Sequence, residues 1–195
     1  MTQARDTATR RQSALICLGS NLPVGEAGPE KIVQNAVAEI GRVVGVVVGE
    51  SRLFTTPCWP PGAGPDYVNA AVRCETGLAA GDVLAALHGI EAAQGRTRRA
   101  RWEARVLDLD LIALGDLVCP DAETQSRWRD LPVEEQAKVA PDGLVLPHPR
   151  MAERAFVLVP LAEVAPDWRH PLTGQSVLEM LDALPEAARG EIRAL

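Results

Sequence analysis

The order of the apolar segments between residues 14 and 114 restricts this chain to few folds. Four segments have the β-branched, alternating or short apolar runs that are typical of strands, and two have the 3.6-residue period of helices. In chain order they are strand 14–21, a helix that opens at Pro29, strand 43–56, strand 66–76, helix 80–95 and strand 106–114. This β-α-β-β-α-β order predicts a ferredoxin-like α+β fold, an antiparallel sheet with helices packed on one face.

Both predicted helices have residues at their ends that favour the start or the end of a helix. Pro29 suits a first helical turn, and in the second helix Asp82 is predicted as the N-cap and Gly95 as the stop. Gly45 and Gly49 are predicted to interrupt the strand over 43–56 as bulges. The first helix should pack on the sheet through one apolar face, formed by Ile32, Val33, Ala36, Val37 and Ile40.

The length of 195 residues suits a single domain, which we place at residues 14–185. Residues 1–13 have no apolar stretch of signal-peptide length and are expected to be a disordered tail. Residues 120–142 are polar and helix-prone, and we interpret them as a helical insertion that packs as a surface flap. A short amphipathic helix is expected at 176–184, followed by a C-terminal tail at 186–195.

The charge balance argues against two classes of partner. The net charge is −6 and the isoelectric point is near 5.1, whereas nucleic-acid and anionic-membrane binding favour basic surfaces. No run of about 18 apolar residues occurs. The four cysteines form no C-x-x-C pair, which favours free buried thiols in a reducing compartment. We therefore expect a cytoplasmic monomer that binds neither nucleic acid nor membrane.

Two carboxylates stand side by side in the last predicted strand of the sheet. Asp108 and Asp110 are two residues apart, so they point to one face, with Cα atoms roughly 6.5 Å apart. The alternating leucines, among them Leu109, should point into the core. Such a pair is compatible with a solvated outer face or with a Mg²⁺ site, since Mg²⁺ is typically held by one or two carboxylates and substrate phosphates.

A cluster of arginines precedes the carboxylates in the segment 95–105. Its five members are Arg96, Arg98, Arg99, Arg101 and Arg105, with Glu103 as the only acid among them. They form either a solvated basic loop or a phosphate site, because the planar guanidinium suits phosphate oxygens. No glycine-rich phosphate-binding motif occurs. Because the segment has little apolar content, we expect it to be mobile without substrates and to close over them.

Four more residues are candidates for a site. Glu91 lies on an apolar helix face, either as a boundary glutamate or as the partner of an arginine. Tyr67 and Asn69 share a strand face, where they either pack in the core or stack on and hydrogen-bond a flat heterocycle. His148 lies between two prolines in a turn that is expected to be rigid and exposed.

Together these motifs resemble the 6-hydroxymethyl-7,8-dihydropterin pyrophosphokinases of folate synthesis. The resemblance covers about residues 14–185 and depends on a series of stretches in matching order rather than on any single motif. The stretches are LGSN (18–21), TTP (55–57), PDYVNAAV (65–72), IEAAQGRTR (90–98), RW (101–102), R-V-LDLDL (105–111), LPHPRM (146–151) and RAFVLVPL (154–161).

The resemblance implies transfer of pyrophosphate from ATP to the pterin hydroxymethyl group, with release of AMP. It places Asp108 and Asp110 as ligands of two Mg²⁺ ions, and Arg96 and Arg105 as catalytic arginines that act on the phosphates. The implied ATP contacts are Glu91, Arg98, Arg101, Trp102, Leu111, His148 and Arg154. The implied pterin contacts are Thr56, Pro57, Trp59, Tyr67, Asn69 and Phe156, with Tyr67 and Phe156 on the two ring faces.

Two other function classes are considered beside this one. A ferredoxin-like RNA-binding module would use the arginines and exposed aromatics, but the acidic total charge and the missing aromatic-rich motif argue against it. A two-metal nucleotidyl transferase would share the carboxylates. Tyr67, Asn69 and Phe156 discriminate against it, since they specify a flat second substrate.

Overall fold

The computed structural model describes residues 11–58, 64–94, 106–136 and 139–195. Over residues 11–114 the helices and strands follow the predicted order. They are β1 Gln12–Ser20, α1 Pro29–Val43, β2 Val46–Glu50, β3 Phe54–Thr56, β4 Tyr67–Thr76, α2 Ala80–Ala93 and β5 Asp108–Leu114. The later elements are α3 Ala122–Arg129, α4 Val133–Gln136, a 3₁₀ turn Met151–Glu153, α5 Ala155–Val164, α6 Val177–Ala183, α7 Glu186–Gly190 and β6 Arg193–Ala194.

The sheet has the strand order β5-β1-β4-β3-β6, with β2 also paired to β4, and every pairing is antiparallel. This confirms the predicted ferredoxin-like α+β fold. The long central strands β1 and β4 hold the sheet together, and the predicted interruption at Gly49 is present as a register shift in the β2–β4 pairing.

The single strand predicted over 43–56 is two strands in the structure. The backbone N–H of Arg52 donates to Glu163 Oε2 at 2.8 Å instead of to β4. Ser51 keeps the chain beside β4, since its Oγ accepts from the Ala71 N–H at 2.9 Å. A side-chain acceptor on α5 therefore interrupts the pairing, and three residues separate the end of β2 at Glu50 from the start of β3 at Phe54.

The first face of the sheet is covered by α1 and α2, as predicted. All five residues of the predicted apolar face of α1 are buried there. The predicted N-cap of α2 is wrong: Ala79 occupies that position, and Asp82 lies inside the first turn because its N–H already donates to Ala79 O. Gly95 lies outside the described residues.

The second face is also covered, which the prediction of helices on one face missed. Helices α5 and α6 pack there against residues of the central strands such as Leu15, Cys17 and Ala71. These strands carry apolar residues on both sides, so both sides require cover. The amphipathic helix expected near residue 180 is confirmed as α6, with a Ser176–Glu179 capping box.

The segments outside the predicted core have regular structure where they are described. Residues 186–195, expected to be a tail, form α7 and then β6, whose Arg193 and Ala194 pair with β3. Within the insertion, α3 buries only Gln125. The expected N-terminal tail lies largely outside the described residues, although Gln12 and Ser13 already belong to β1. No helix in the described ranges has the length and apolarity needed to cross a membrane.

Candidate active site

The candidate residues meet on the second face of the sheet, in rows that run across three strands. Gly19 of β1 is paired with Asn69 of β4 on one side and with Asp108 of β5 on the other. Cys17 is likewise paired with Ala71 and Asp110. Residues opposite each other in a sheet point to the same face, and two strand spacings amount to about 10 Å. Asp108 and Asn69 therefore flank Gly19, and Asp110 lies beside Cys17 in the next row.

The alternation of β5 is confirmed. Leu107, Leu109 and Leu111 are buried in the core of the first face, whereas Asp108 and Asp110 are half-buried on the second. The side chain of Leu111 therefore points away from the two carboxylates. A register shift opposite Leu15 and Ile16 then interrupts the alternation, so that the consecutive residues Ile112 and Ala113 both lie on the second face.

Positive charge reaches the carboxylates from the turn before α5. Burial lowers the pKa of Arg154, and the charges of Asp110 and Asp108 raise it again, so this guanidinium lies in the field of both carboxylates. Arg150 adds a second positive charge nearby and lowers the pKa of Arg154. The arrangement offers anion-binding and cation-binding groups side by side.

His148 is held against β5 and is not the exposed turn residue that was expected. It is half-buried, and its backbone N–H donates to Ile112 O at 2.8 Å. Burial lowers the pKa of His148 to about 3, and Arg154 and Arg150 lower it in the same direction. Its Nδ1 accepts from the Arg150 N–H at 3.2 Å, so the neutral ring carries its proton on Nε2.

Glu91 of α2 hydrogen-bonds to β5, the strand that carries the two aspartates. It is 1% exposed, which excludes the alternative of a glutamate at the boundary of the apolar face. Its Oε1 accepts the backbone N–H of Leu109 at 2.9 Å, between the two aspartates. The predicted arginine partner belongs to the segment 95–105, outside the described residues. Glu91 thus fixes the start of β5.

The amide side of the site is built around Asn69. Its Nδ2 donates to Thr56 Oγ1 at 2.8 Å, and both residues are buried. A Cβ placed on Gly19 would lie 2.9 Å from Asn69 Oδ1 and 3.9 Å from the Tyr67 ring. No role was predicted for Gly19, although a glycine inside a strand is itself a sign of close approach by another group.

Phe156 lies in the first turn of α5, the helix that covers this same face. Its side chain is 40% exposed, and it is the aromatic member of the eight large apolar residues that are exposed in the described part of the chain. The Arg154 guanidinium carbon lies 5.6 Å from its ring centroid. An exposed aromatic ring beside a guanidinium leaves a flat apolar surface for another ring.

Hydrogen bonds hold the residues at the two ends of the loop that follows β3. The Cys58 thiol donates to Gly64 O at 3.0 Å and accepts the Gly64 N–H at 3.1 Å. Asn21, buried beside β1, donates to Pro65 O at 3.2 Å. Pro57 is exposed next to this closure. The other predicted site residues lie outside the described ranges, namely Trp59, Arg96, Arg98, Arg101, Trp102 and Arg105.

All four cysteines are free thiols, and Cys17, Cys58 and Cys74 are buried as predicted, whereas Cys119 is only half-buried. Burial and the neighbouring Asp110 both raise the pKa of Cys17. The Cys17 thiol is therefore neutral beside the carboxylates and adds no charge to the site.

The donor set fits Mg²⁺ rather than a metal held by the protein alone. Within the described ranges, no three His, Cys, Asp or Glu side chains group closely enough to hold a metal ion. Asp108 and Asp110 carry hard carboxylate oxygens on one face of β5, where both side chains are half-buried. Two carboxylates without a third ligand suit a cation that completes its shell with water and phosphate oxygens.

The sequence of residues 15–166 matches the family described as 7,8-dihydro-6-hydroxymethylpterin-pyrophosphokinase (HPPK). A 2-amino-4-hydroxy-6-hydroxymethyldihydropteridine pyrophosphokinase of Synechocystis is 37% identical over 87% of this chain and 74% of its own. The Pseudomonas aeruginosa protein of that name is 37% identical over 89% of this chain and 93% of its own.

Solved structures share the fold at low sequence identity. Wild-type Plasmodium falciparum HPPK-DHPS aligns with a TM-score of 0.61 and 12% identity. The alignment covers 89% of this chain but 44% of that one, so this chain spans less than half of the solved protein.

Proposed function

This chain belongs to the 7,8-dihydro-6-hydroxymethylpterin-pyrophosphokinase family, and from that membership we infer that it transfers pyrophosphate from ATP to 6-hydroxymethyl-7,8-dihydropterin in folate synthesis. AMP is the second product. Release of AMP means that the bond between the α- and β-phosphates breaks while the hydroxymethyl oxygen bonds to the β-phosphorus. The site must therefore bind a highly charged chain and a flat heterocycle side by side.

The observation that carries this proposal is the row Asp108–Gly19–Asn69 across the sheet. Groups suited to cations and phosphates lie on one side of Gly19, and groups suited to a hydrogen-bonding ring lie on the other. The separation of about 10 Å between the two outer strands leaves room for the two substrates to meet above the glycine.

We propose that Asp108 and Asp110 hold Mg²⁺. When bound, the ion would neutralise phosphate charge and lower the pKa of the attacking hydroxyl group. The expected number of two ions is tested by counting metal in the complex with a non-hydrolysable ATP analogue.

On the ATP side, Arg154 would bind phosphate oxygens directly, since its charge faces the carboxylates. His148 would donate from Nε2. Leu111 would contact the nucleotide through its backbone alone, because its side chain is buried in the core. Glu91 would act by holding β5 at Leu109. Positioning and charge neutralisation supply most of the catalysis in phosphoryl transfer.

On the pterin side, Tyr67 and Phe156 would stack on the two faces of the ring, and Asn69 would hydrogen-bond its edge. The hydrogen bond from Asn69 to Thr56 orients the amide before the ring arrives, so less ordering is needed on binding. Pro57 and Trp59 would close the edge of the pocket.

The arginine segment supplies the remaining roles. Arg96 and Arg105 would act on the phosphates, while Arg98, Arg101 and Trp102 would contact ATP. We further propose that residues 95–105 close over bound substrates. Trypsin digestion tests this, because cleavage after these arginines should slow sharply when Mg²⁺, a non-hydrolysable ATP analogue and pterin are all present.

The decisive experiment is a coupled assay of AMP release by the purified protein with ATP, with and without the pterin. AMP should form only when pterin and Mg²⁺ are both present, and a chelator should stop the reaction. Formation of ADP instead of AMP would show ordinary phosphoryl transfer and overturn the proposal. A cytoplasmic location and a monomeric state remain predictions, to be tested by cell fractionation and by light scattering.

A further inference from the structure

The insertion helix α3 has one buried side chain, and that side chain is polar. Gln125 has no exposed surface. Burying an amide is unfavourable unless its polar atoms are hydrogen-bonded, and an apolar residue would anchor a surface helix more simply. The amide therefore indicates a specific polar contact between the insertion and the rest of the chain.

The partners of Gln125 define how its amide is oriented. Nε2 donates to Pro147 O at 3.2 Å, and Oε1 accepts from Arg129 Nη1 at 3.4 Å. Nε2 also lies 3.3 Å from Nε2 of His170, which is itself 2% exposed. The contacts to Pro147 and Arg129 agree on one orientation, with the N–H groups directed at Pro147.

The carbonyl that Gln125 binds belongs to the peptide unit that carries His148. The N–H of the same unit donates to Ile112 O at 2.8 Å. The unit is planar, and it is held by the insertion at one end and by β5 at the other. Its orientation sets the direction in which the His148 side chain leaves the backbone.

The His148 ring, in turn, lies among the charges of the site. Its backbone is hydrogen-bonded to Ile112, two residues along β5 from Asp110, and its Nδ1 accepts the Arg150 N–H at 3.2 Å. The charges of Arg154 and Asp108 also act on the pKa of His148. A small rotation of the Pro147–His148 peptide would therefore move the ring relative to Asp108 and Arg154.

We propose that Gln125 is a positioning residue for the pyrophosphokinase reaction: through Pro147 it holds the His148 ring where ATP binds, so the insertion takes part in nucleotide binding. This inference rests on the proposed function, because it takes His148 to lie beside ATP. Gln125 itself touches neither substrate.

The direct test observes the histidine rings of the full-length protein by NMR. The chain has three histidines, His88, His148 and His170, so each ring can be assigned from its own His→Gln variant. In Gln125→Met, which keeps the side-chain length, the signals of His170 and His148 should shift while that of exposed His88 stays in place. A shift confined to His170 would overturn the proposal.

The functional test measures ATP binding by calorimetry with a non-hydrolysable analogue and Mg²⁺. Gln125→Met should weaken binding about three- to tenfold, the effect expected for one lost hydrogen bond, and should leave pterin affinity unchanged. Gln175→Met applies the same exchange at an exposed site and should change neither. Gln125→Asn keeps the amide but shortens its reach, and it should reproduce the loss if the methionine variant folds poorly.

A shifted His148 signal with unchanged ATP affinity would also overturn the proposal. His148→Ala then identifies the cause. If that variant binds ATP normally, the placement of ATP beside His148 is wrong. If that variant binds ATP weakly, His148 contacts ATP but the change that Gln125 causes in its ring does not affect ATP binding, so Gln125 is not a positioning residue.

Discussion

Gly19 and Asn69 are directly paired across β1 and β4, and the Asn69 amide lies where a side chain on Gly19 would be. A Cβ on Gly19 would come within 2.9 Å of Asn69 Oδ1, closer than such atoms normally approach. The hydrogen bond from Asn69 Nδ2 to Thr56 Oγ1 keeps the amide from rotating to another orientation. The glycine therefore leaves the space that the amide, oriented by Thr56, occupies.

Gly19→Ala should displace Asn69 and weaken pterin binding by about 1–3 kcal/mol, the cost of leaving polar groups of the ring unpaired. Calorimetry with pterin measures the change. ATP affinity without pterin should stay near that of the wild type. Gly89→Ala, where a Cβ meets nothing within 4 Å, is the matched control. Equal pterin affinity in all three proteins would contradict the role of Asn69.

Asp108→Asn and Asp110→Asn should each lower turnover to less than about one-hundredth of the wild-type value, by analogy with the loss of one charge-stabilising group. Considered alone, the two carboxylates repel, which suggests that either change should stabilise the free protein. Arg154 lies in their field, so we instead expect a melting temperature that is unchanged or lower. Asp116→Asn, on an exposed turn, is the control. Normal Mg²⁺-dependent AMP release by both variants would contradict the assignment.

Tyr67→Ala and Phe156→Ala should each weaken pterin binding by roughly 1–3 kcal/mol if stacking resembles that of bases on aromatic side chains. ATP binding without pterin should change little for Tyr67→Ala. Leu178→Ala removes a comparably exposed apolar side chain from α6 and should leave pterin affinity unchanged. Calorimetric titrations that show unaltered pterin affinity in both aromatic variants would exclude the stacking pocket.

Glu91→Ala should lower the free energy of unfolding by about 1–3 kcal/mol, because the buried Leu109 N–H loses its acceptor. Glu91→Gln keeps an oxygen at that position and should be less destabilising. Urea denaturation measures both variants, with exposed Glu26→Ala as the control. If the alanine variant is as stable as the control, Glu91 does not hold β5.

Acid should destabilise the protein partly through His148. The folded pKa of about 3 lies below the ordinary value of 6.5, so between these values the unfolded chain binds more protons than the folded one. Stability should therefore fall as the pH falls through this window and level off below it. In His148→Gln the melting temperature should fall less between pH 7 and pH 4 than in the wild type. His88→Gln, at an exposed site, should keep the wild-type slope.

Sequence periodicity predicted the buried residues correctly where the pattern lies within a single helix or strand. The apolar face of α1 and the alternation of Asp108 and Asp110 with leucines are local patterns, and both are confirmed. The split between β2 and β3 depends on Glu163, more than a hundred residues away. The close approach of Gly19 to Asn69 depends on the register between two strands. The partial burial of His148 depends on Ile112, so neither its own sequence context nor its flanking prolines could predict it.

The two faces of the sheet are completed at different times during synthesis. The hydrophobic core on the first face is formed mainly by residues before 115, whereas the core on the second face includes residues of α5 and α6. A nascent chain that ends before α5 therefore contains most residues of the first core but lacks the helices that cover Leu15, Ala71 and Ile112. Exposed apolar surface of this kind makes partly folded chains prone to aggregate. The face that carries the candidate site is thus the last part of the sheet to be covered. A chain released by a ribosome that stalls within the insertion would have only the first face of its sheet covered by helices.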